Sequence, residues 1–271
     1  MRARISLPAN ATAIAALMQL LLIPSVDAAS CGKVALLSSG ARTASVVELY
    51  TSEGCDSCPP ADKWFSTLSY QRDGVVPLAF HVDYWDYIGW KDPFGKPAYA
   101  ERQRSTVIRQ GSRTVYTPQV MLDGKDARAW TFNSKFDAGL RDLASRPARA
   151  ALTLSAVPSA SAPSAIEVAV NVNIPDAALR AESALFIALT EDNLQSRVTA
   201  GENKGNTLKH NHVVRELIGP ILLRANGAID IQRRLDLGEG WKRADLNIAG
   251  FVQNLRSGEV LQALSAPLCG S

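Results

Sequence analysis

The stretch YTSEGCDSCPPADKW, residues 50–64, carries two cysteines three positions apart. It continues the segment SVVELY, whose β-branched and aromatic residues predict a strand. The residues after the cysteines place Trp64, Phe65 and Leu68 at helical spacing. A Cys-x-x-Cys pair between a strand and a helix predicts a reactive dithiol, because unpaired N–H groups at a helix N-terminus stabilise a thiolate. We predict that Cys55 is the solvent-exposed attacking thiol and Cys58 the resolving thiol.

Other interpretations of the same two cysteines stay open at this stage. They could form a purely structural disulfide, or hold Cu(I), which soft thiolate ligands favour. A four-thiolate zinc site would require a second close pair of cysteines, and the sequence has none.

Composition restricts the class of protein. The chain has 271 residues, of which 46% are hydrophobic and 20% charged, and its formal net charge is +3. This length suits one large domain or two of ordinary size. The lysines and arginines form no dense basic segment, so we predict no nucleic-acid partner.

The N-terminus has the pattern of an export signal. Arg2 and Arg4 precede the apolar run IAALMQLLLI, and small residues stand before a cleavage point after Ala28. We therefore predict a signal peptide over residues 1–28 and a periplasmic or extracellular protein. An alternative is that AASC forms a lipoprotein signal, with Cys31 as the lipidated residue. No later stretch is apolar for long enough to predict a transmembrane helix.

Export would place all four cysteines in an oxidising compartment, where thiols pair. Four cysteines allow three pairings. Cys55 and Cys58 are close enough in sequence to pair with each other, which leaves Cys31 and Cys269 to join the two ends of the mature chain. The alternative is that these two terminal cysteines remain free thiols.

Residues 29–147 alternate between strand and helix patterns. The run VVPLAFHV (75–82) is apolar almost throughout, as in a strand buried on both faces. A helix is predicted over residues 98–108, and Asp123-Gly124 predicts a hairpin turn. From about Pro147 onward the pattern changes to short strands, among them IEVAVNVNI (166–174). We therefore predict an α/β domain over residues 29–147 and an all-β, antiparallel sandwich-like domain over residues 148–271.

Two histidine-bearing segments are further candidates. HVDYWDYIGW (81–90) follows the central strand, where α/β folds place their sites. We predict that Tyr84 and Trp85 form a partner-docking surface near Cys55. His81 and Asp83 would either tune the thiols or belong to a packed loop.

The segment LKHNH places His210 and His212 on one face of a strand. No third ligand follows them in sequence, so we predict no metal site there.

The order strand, Cys-x-x-Cys, helix, with Thr117-Pro118 before a later hairpin, resembles the thioredoxin superfamily. The resemblance implies a thioredoxin-like fold for the first domain and a cis Pro118 facing the dithiol. It also implies that Thr117 presents its backbone to the substrate. A buried carboxylate on the preceding strand is implied as proton shuttle. Glu48 is the candidate, although it lies seven rather than the usual six residues before Cys55.

The segments VELYTSEGCDSCPPAD, FHVDYWDYIGWKDPF, YTPQVMLDG and GENKGNTLKHNHVVREL resemble a bacterial family of secreted thioredoxin-like proteins, domain of unknown function 1223. This resemblance implies a thioredoxin-like domain with an appended β-domain, and it implies no substrate.

The sequence thus predicts an exported thiol:disulfide oxidoreductase that acts on protein thiols or disulfides. It would need no organic cofactor, because the dithiol itself carries two electrons. The alternative prediction is a non-catalytic module that binds a partner protein or Cu(I).

Overall fold

The structure, a computed structural model, describes residues 34–131, 133–223 and 229–269. The predicted signal peptide and Cys31 lie outside the described residues. The helices are α1 (Pro59–Phe65), α2 (Tyr70–Asp73), α3 (Pro97–Arg109), α4 (Asn133–Ser145) and α5 (Ala177–Ala181). The strands are β1 (Val34–Ser38), β2 (Ser45–Thr51), β3 (Val75–His81), β4 (Gln119–Leu122), β5 (Lys125–Asp126), β6 (Ala151–Pro158), β7 (Ala165–Asn173), β8 (Ser183–Glu191), β9 (Leu194–Arg197), β10 (Thr207–His210), β11 (Val213–Leu222), β12 (Ile229–Asp236), β13 (Leu246–Asn254) and β14 (Val260–Pro267).

An eight-stranded mixed sheet forms the centre of the fold, in the order β14-β13-β8-β11-β3-β2-β4-β5. Strands β2 and β3 are parallel along their whole length. Strand β11 joins β3 in parallel where Val213 lies beside Ala79, and the remaining neighbours are antiparallel. Every residue of β2 and β3 is buried, because other layers cover both faces of the sheet there.

The predicted fold class is wrong. The chain does not fold as an α/β thioredoxin-like domain over residues 29–147 followed by a separate all-β domain. Strands β8, β11, β13 and β14 come from the second half of the chain and extend the sheet that β2 and β3 begin. The individual strands are predictable from local alternation. The attachment of this group of strands to β3, through β11, depends instead on contacts between residues far apart in sequence.

A second, four-stranded antiparallel sheet has the order β1-β6-β7-β12. Its inner face packs on the large sheet near β8, β13 and β14. Leu152 and Leu154 of β6 share one buried cluster with Leu185, Ile187 and Ile248 of the large sheet. The short hairpin of β9 and β10 stands apart from both sheets.

Helices cover the large sheet around β2 and β3. On one face, Tyr99 and Ala100 of α3 pack against Tyr50 and Phe80. On the other face, Phe65 of α1 and a residue of α4 pack against the neighbouring β2 side chains. This arrangement brings the carboxyl ends of β2 and β3 to a common edge, which carries the residues described below. Among the described residues no helix is both long and apolar enough to cross a membrane.

Several local predictions are confirmed. The predicted helix over residues 98–108 corresponds to α3, and the predicted strand over residues 166–174 corresponds to β7. Asp123 and Gly124 adopt φ angles of 47° and 73° and connect β4 to β5, as a hairpin turn requires. A Cβ on Gly124 would overlap the carbonyl oxygen of Gly258, so this turn has room for glycine only.

Candidate functional site

Cys55 and Cys58 form a disulfide between β2 and α1, with their Cα atoms 5.5 Å apart. Successive turns shape this connection, because the Cys55 N–H donates to the Ser52 carbonyl and the Cys58 N–H donates to the Cys55 carbonyl, both at 3.2 Å. Cys58 is the N-cap residue of α1, which begins at Pro59. Proline suits this position because the first N–H groups of a helix lack intrahelical acceptors.

The prediction that Cys55 is exposed to solvent is wrong. Cys55 is 1% exposed and Cys58 is 0% exposed. The residues between them, Asp56 and Ser57, are exposed. The disulfide therefore lies beneath a single layer of protein at the surface.

Part of that layer is a segment from the second half of the chain. We call residues 198–206 the cover loop. The buried Asn203 side chain donates from Nδ2 to the carbonyl oxygens of Glu53, at 2.9 Å, and Cys55, at 3.0 Å. The Asp56 N–H donates to Glu202 Oε2 at 3.2 Å. The cover loop is thus hydrogen-bonded to the backbone on both sides of Gly54.

The predicted docking residues lie beside the same turn. Trp85 packs against Gly54, since a Cβ added there would stand 2.9 Å from the Trp85 Cβ atom. Trp85 Nε1 donates to Thr117 Oγ1 at 2.7 Å, which joins two of the predicted residues. Beside Trp85, Tyr87 stacks at 6.4 Å between ring centroids and is 82% exposed.

Tyr84 is held away from the disulfide. Its hydroxyl donates to Gln103 Oε1 of α3 at 3.1 Å, and burial raises the pKa of Tyr84 to about 12. The Thr117–Pro118 peptide bond is cis. Pro118 stands directly before β4, where Gln119 pairs with Tyr50 near the end of β2. Pro118 therefore lies at the same sheet edge as the cysteine turn.

Glu48 points toward α3 rather than α1, and its predicted role as proton shuttle stays a prediction. Alternate β2 side chains point to opposite faces. Val47 and Leu49 face α1, whereas Tyr50 faces α3. Glu48 shares the α3 face, where it pairs with Arg102 and accepts a hydrogen bond from the Tyr50 hydroxyl at 2.5 Å.

Five ionisable side chains gather at the edge that carries the disulfide. We call them the buried polar cluster, and its members are Glu53, Asp62, His81, Asp92 and His210. All five are buried. His81 Nδ1 lies 2.7 Å from Asp92 Oδ2, and His210 Nε2 lies 3.0 Å from Glu53 Oε1.

Further contacts hold the buried polar cluster to the cysteine turn. The Glu53 N–H donates to Asp92 Oδ2 at 2.8 Å, and Trp90 Nε1 donates to Glu53 Oε2 at 2.8 Å. Asp62 lies one helical turn after Cys58 and donates its N–H to the Cys58 carbonyl at 3.1 Å. Glu53 and Asp62 thus link the buried polar cluster to either side of the disulfide.

Burial and neighbouring charges together set the pKa shifts within the buried polar cluster. Burial alone would lower the pKa of His81, but the Asp92 carboxylate outweighs it and the pKa is raised. Burial alone would raise the pKa of Asp92, but His81 and the Glu53 N–H lower it. Burial raises the pKa of Asp62, against the attraction of His210.

Sequence reasoning missed this cluster as a unit. Its members come from the cysteine turn, α1, β3, the loop after β3 and β10, which are far apart in sequence. His210 and His212 do not share a strand face. His212 has a φ of 59° and places Nδ1 3.1 Å from Asp192 Oδ1, outside the buried polar cluster. The predicted Cys31–Cys269 pairing stays a prediction, because Cys31 lies outside the described residues.

Fold and site together define a protein built on one large mixed sheet, with a buried Cys-x-x-Cys disulfide at the end of β2. The chain belongs to the family described as Protein of unknown function (DUF1223), whose model matches residues 46–253. A search of curated proteins found no match.

Two solved structures are similar to this chain. Protein AGR_C_4864 from Agrobacterium tumefaciens has a TM-score of 0.57 and 23% identity, with 86% of this chain and 98% of that chain covered. HBP35 of Porphyromonas gingivalis has a TM-score of 0.62 and 15% identity, with 84% of this chain and 76% of that chain covered. At these identities the likeness shows a shared fold alone.

Proposed function

We propose that this protein is an exported thiol:disulfide oxidoreductase that exchanges the Cys55–Cys58 disulfide with protein thiols. The observation that carries the proposal is the disulfide itself, closed within a Cys-x-x-Cys turn between β2 and α1. The local order of strand, Cys-x-x-Cys and helix, with Pro118 at the same edge, resembles the active site of the thioredoxin superfamily.

The bonds and electrons of this exchange balance without an added cofactor. A substrate thiolate attacks Cys55 Sγ, the Cys55–Cys58 bond breaks, and Cys58 leaves as a thiolate. A second substrate thiol then attacks the mixed disulfide, so the substrate is oxidised by two electrons and the cysteine pair is reduced. The reverse sequence reduces a substrate disulfide.

Cys55 is the better target of the two sulfurs. Its turn lies next to Trp85 and the cover loop, both at the surface, whereas Cys58 is itself the N-cap residue of α1 and is 0% exposed. We propose that Trp85 and Thr117, joined by their hydrogen bond, receive the substrate chain beside Cys55, with the exposed Tyr87 extending that surface.

Exchange requires the cover loop to move, because Cys55 is buried as the structure stands. The hydrogen bonds from Asn203 are the contacts that fasten the loop to the Cys55 turn. We propose that substrate docking displaces this loop and so limits the reaction to partners that fit the site.

The burial of Cys55 also favours a second function. In that case the disulfide only fixes the turn, and the protein is a binding module without turnover. Binding of Cu(I) by the two thiolates would first require their reduction, since the sulfurs are bonded to each other. The two functions differ in whether Cys55 forms covalent intermediates.

Trapping distinguishes these functions. In Cys58→Ala, we expect Cys55 to attack a model peptide disulfide and keep the peptide as a mixed disulfide, because the resolving thiol is absent. In Cys55→Ala we expect roughly tenfold less adduct, since the remaining thiol belongs to the fully buried N-cap residue of α1. Intact-protein mass spectrometry measures both adducts, and circular dichroism confirms that both variants are folded. A folded Cys58→Ala that forms no adduct would favour the binding module.

Removing the Asn203 side chain tests the role of the cover loop. Two hydrogen bonds of about 1 kcal/mol each are lost in Asn203→Ala, so the Cys55–Cys58 disulfide should be reduced by dithiothreitol about thirtyfold faster. Asn206→Ala is the matched control, because Asn206 is exposed in the same loop and its rate should be unchanged. Equal reduction rates in both variants and the wild type would contradict gating by this loop.

A further inference from the structure

Each histidine of the buried polar cluster has one satisfied and one unsatisfied ring nitrogen. His81 Nδ1 and His210 Nε2 contact carboxylates, whereas His81 Nε2 and His210 Nδ1 are buried and have no hydrogen-bond partner within the part of the chain that the structure describes. Buried polar atoms are normally paired, because leaving one unpaired costs free energy. Two such nitrogens in one cluster indicate a missing ligand.

The rings that carry the two unsatisfied nitrogens are neighbours. The rings of His81 and His210 stand 4.8 Å apart between centroids and are nearly perpendicular. His210 Nδ1 also lies 3.8 Å from Asp62 Oδ2. The Asp62 carboxylate therefore approaches His210 from α1.

The other contacts of both rings match those of metal-binding histidines. A metal-ligating imidazole usually donates its second N–H to a carboxylate, which fixes the tautomer and the ring orientation. Asp92 holds His81 in this way and Glu53 holds His210. The cluster also contains three buried carboxyl groups, and a divalent cation beside them would favour their charged form.

We propose that the buried polar cluster binds a divalent transition-metal ion of the Zn²⁺ type through His81 Nε2, His210 Nδ1 and the Asp62 carboxylate. Two histidines and one carboxylate form a known zinc ligand set with a fourth position left open. Asp92 and Glu53 are positioning residues that orient the two imidazoles. This proposal uses no thiol and stands independently of the proposed exchange reaction.

Binding requires a small inward movement of Asp62. Among the described residues no three such side chains already stand as a metal-binding group. In a tetrahedral zinc site the nitrogen and oxygen ligands lie about 3.4 Å apart, compared with 3.8 Å between His210 Nδ1 and Asp62 Oδ2. Metal binding would therefore have to draw these two atoms closer together.

The test uses the full chain, oxidised so that the thiols of Cys55 and Cys58 are unavailable, and stripped of metal by a chelator. Calorimetry measures Zn²⁺ binding, and visible absorption measures the coordination of Co²⁺. We expect one equivalent to bind, with a Co²⁺ spectrum typical of tetrahedral nitrogen and oxygen ligands. Asp62→Asn and His210→Gln should weaken binding at least tenfold.

His212→Gln is the matched control, because His212 also contacts a carboxylate but lies outside the buried polar cluster. It should bind Zn²⁺ as the wild type does. If His210→Gln does not fold, Asp62→Asn decides, together with the rise in melting temperature that Zn²⁺ should give the wild type but not Asp62→Asn. Absence of stoichiometric binding to the wild type would overturn the proposal, as would equal binding by Asp62→Asn.

Discussion

Replacing Arg102 with methionine is expected to lower the free energy of unfolding by about 3–5 kcal/mol, because it removes one partner of a buried ion pair. The Glu48 side chain is 2% exposed and the Arg102 side chain 9% exposed. Without the guanidinium, the Tyr50 hydroxyl would be the one hydrogen-bond partner left to the Glu48 carboxylate among the described residues. A buried, uncompensated charge is among the largest single-residue penalties.

Packing adds to the effect of losing Arg102. Its guanidinium carbon lies over three aromatic rings, at 5.6 Å from the centroid of Phe80, 4.9 Å from Phe186 and 5.6 Å from Phe251. These rings come from β3, β8 and β13, so one side chain of α3 contacts both halves of the chain. Methionine keeps part of the apolar contact, and most of the expected loss is therefore electrostatic.

Urea denaturation followed by circular dichroism measures this loss. Arg104→Met is the matched control, because Arg104 lies on the exposed side of α3 and pairs with the exposed Glu101. It should change stability by less than about 1 kcal/mol. Adding Glu48→Gln to Arg102→Met should recover much of the stability by removing the stranded charge. A double variant no more stable than Arg102→Met would contradict the electrostatic explanation.

Local elements of this fold were predictable from the sequence, but their assembly was not. The apolar run of β3 and the Asp123-Gly124 turn have signals within a few residues. The pairing of β11 with β3 has no such signal, because it depends on Val213 meeting Ala79 across the chain. A change of composition near Pro147 therefore looked like a domain boundary, although strands from both sides share one sheet.

In the candidate site, too, local features were predictable from the sequence and long-range contacts were not. The Cys-x-x-Cys pair was identified from its spacing alone. The burial of Cys55 was not, because Asn203 of the cover loop lies 148 residues further along the chain. The face of β2 to which Glu48 points was predictable from the sequence. Glu48 stands seven residues before Cys55 rather than six, and a shift of one residue moves a side chain to the opposite face of a strand.

Asp123 should make the protein less stable as the pH rises from about 4 to about 7. This residue is 5% exposed, and its Oδ1 accepts the Val46 N–H at 2.9 Å, while Oδ2 is buried without a hydrogen-bond partner. Burial raises the pKa of Asp123 to about 7, compared with about 3.9 in an unfolded chain. The folded protein thus holds this proton more tightly than the unfolded chain.

The direction of the pH effect follows from that difference. Below about pH 4 the carboxyl is protonated in both states and no stability is lost. Between the two pKa values the unfolded chain releases the proton while the folded protein retains it, so stability falls with rising pH. At about 1.4 kcal/mol for each pKa unit, the loss above pH 7 reaches at most about 4 kcal/mol.

The Asp123→Asn variant isolates this effect. Asparagine keeps an oxygen for the Val46 N–H and tolerates the φ of 47°, but it does not titrate. We expect the variant to gain stability relative to the wild type as the pH rises from 4 to 7, and to keep that advantage at pH 8. Denaturation at several pH values measures the difference, and Asp137→Asn, at an exposed position of α4, is the control. A difference between Asp123→Asn and wild type that does not change with pH would show that Asp123 is ionised in the fold.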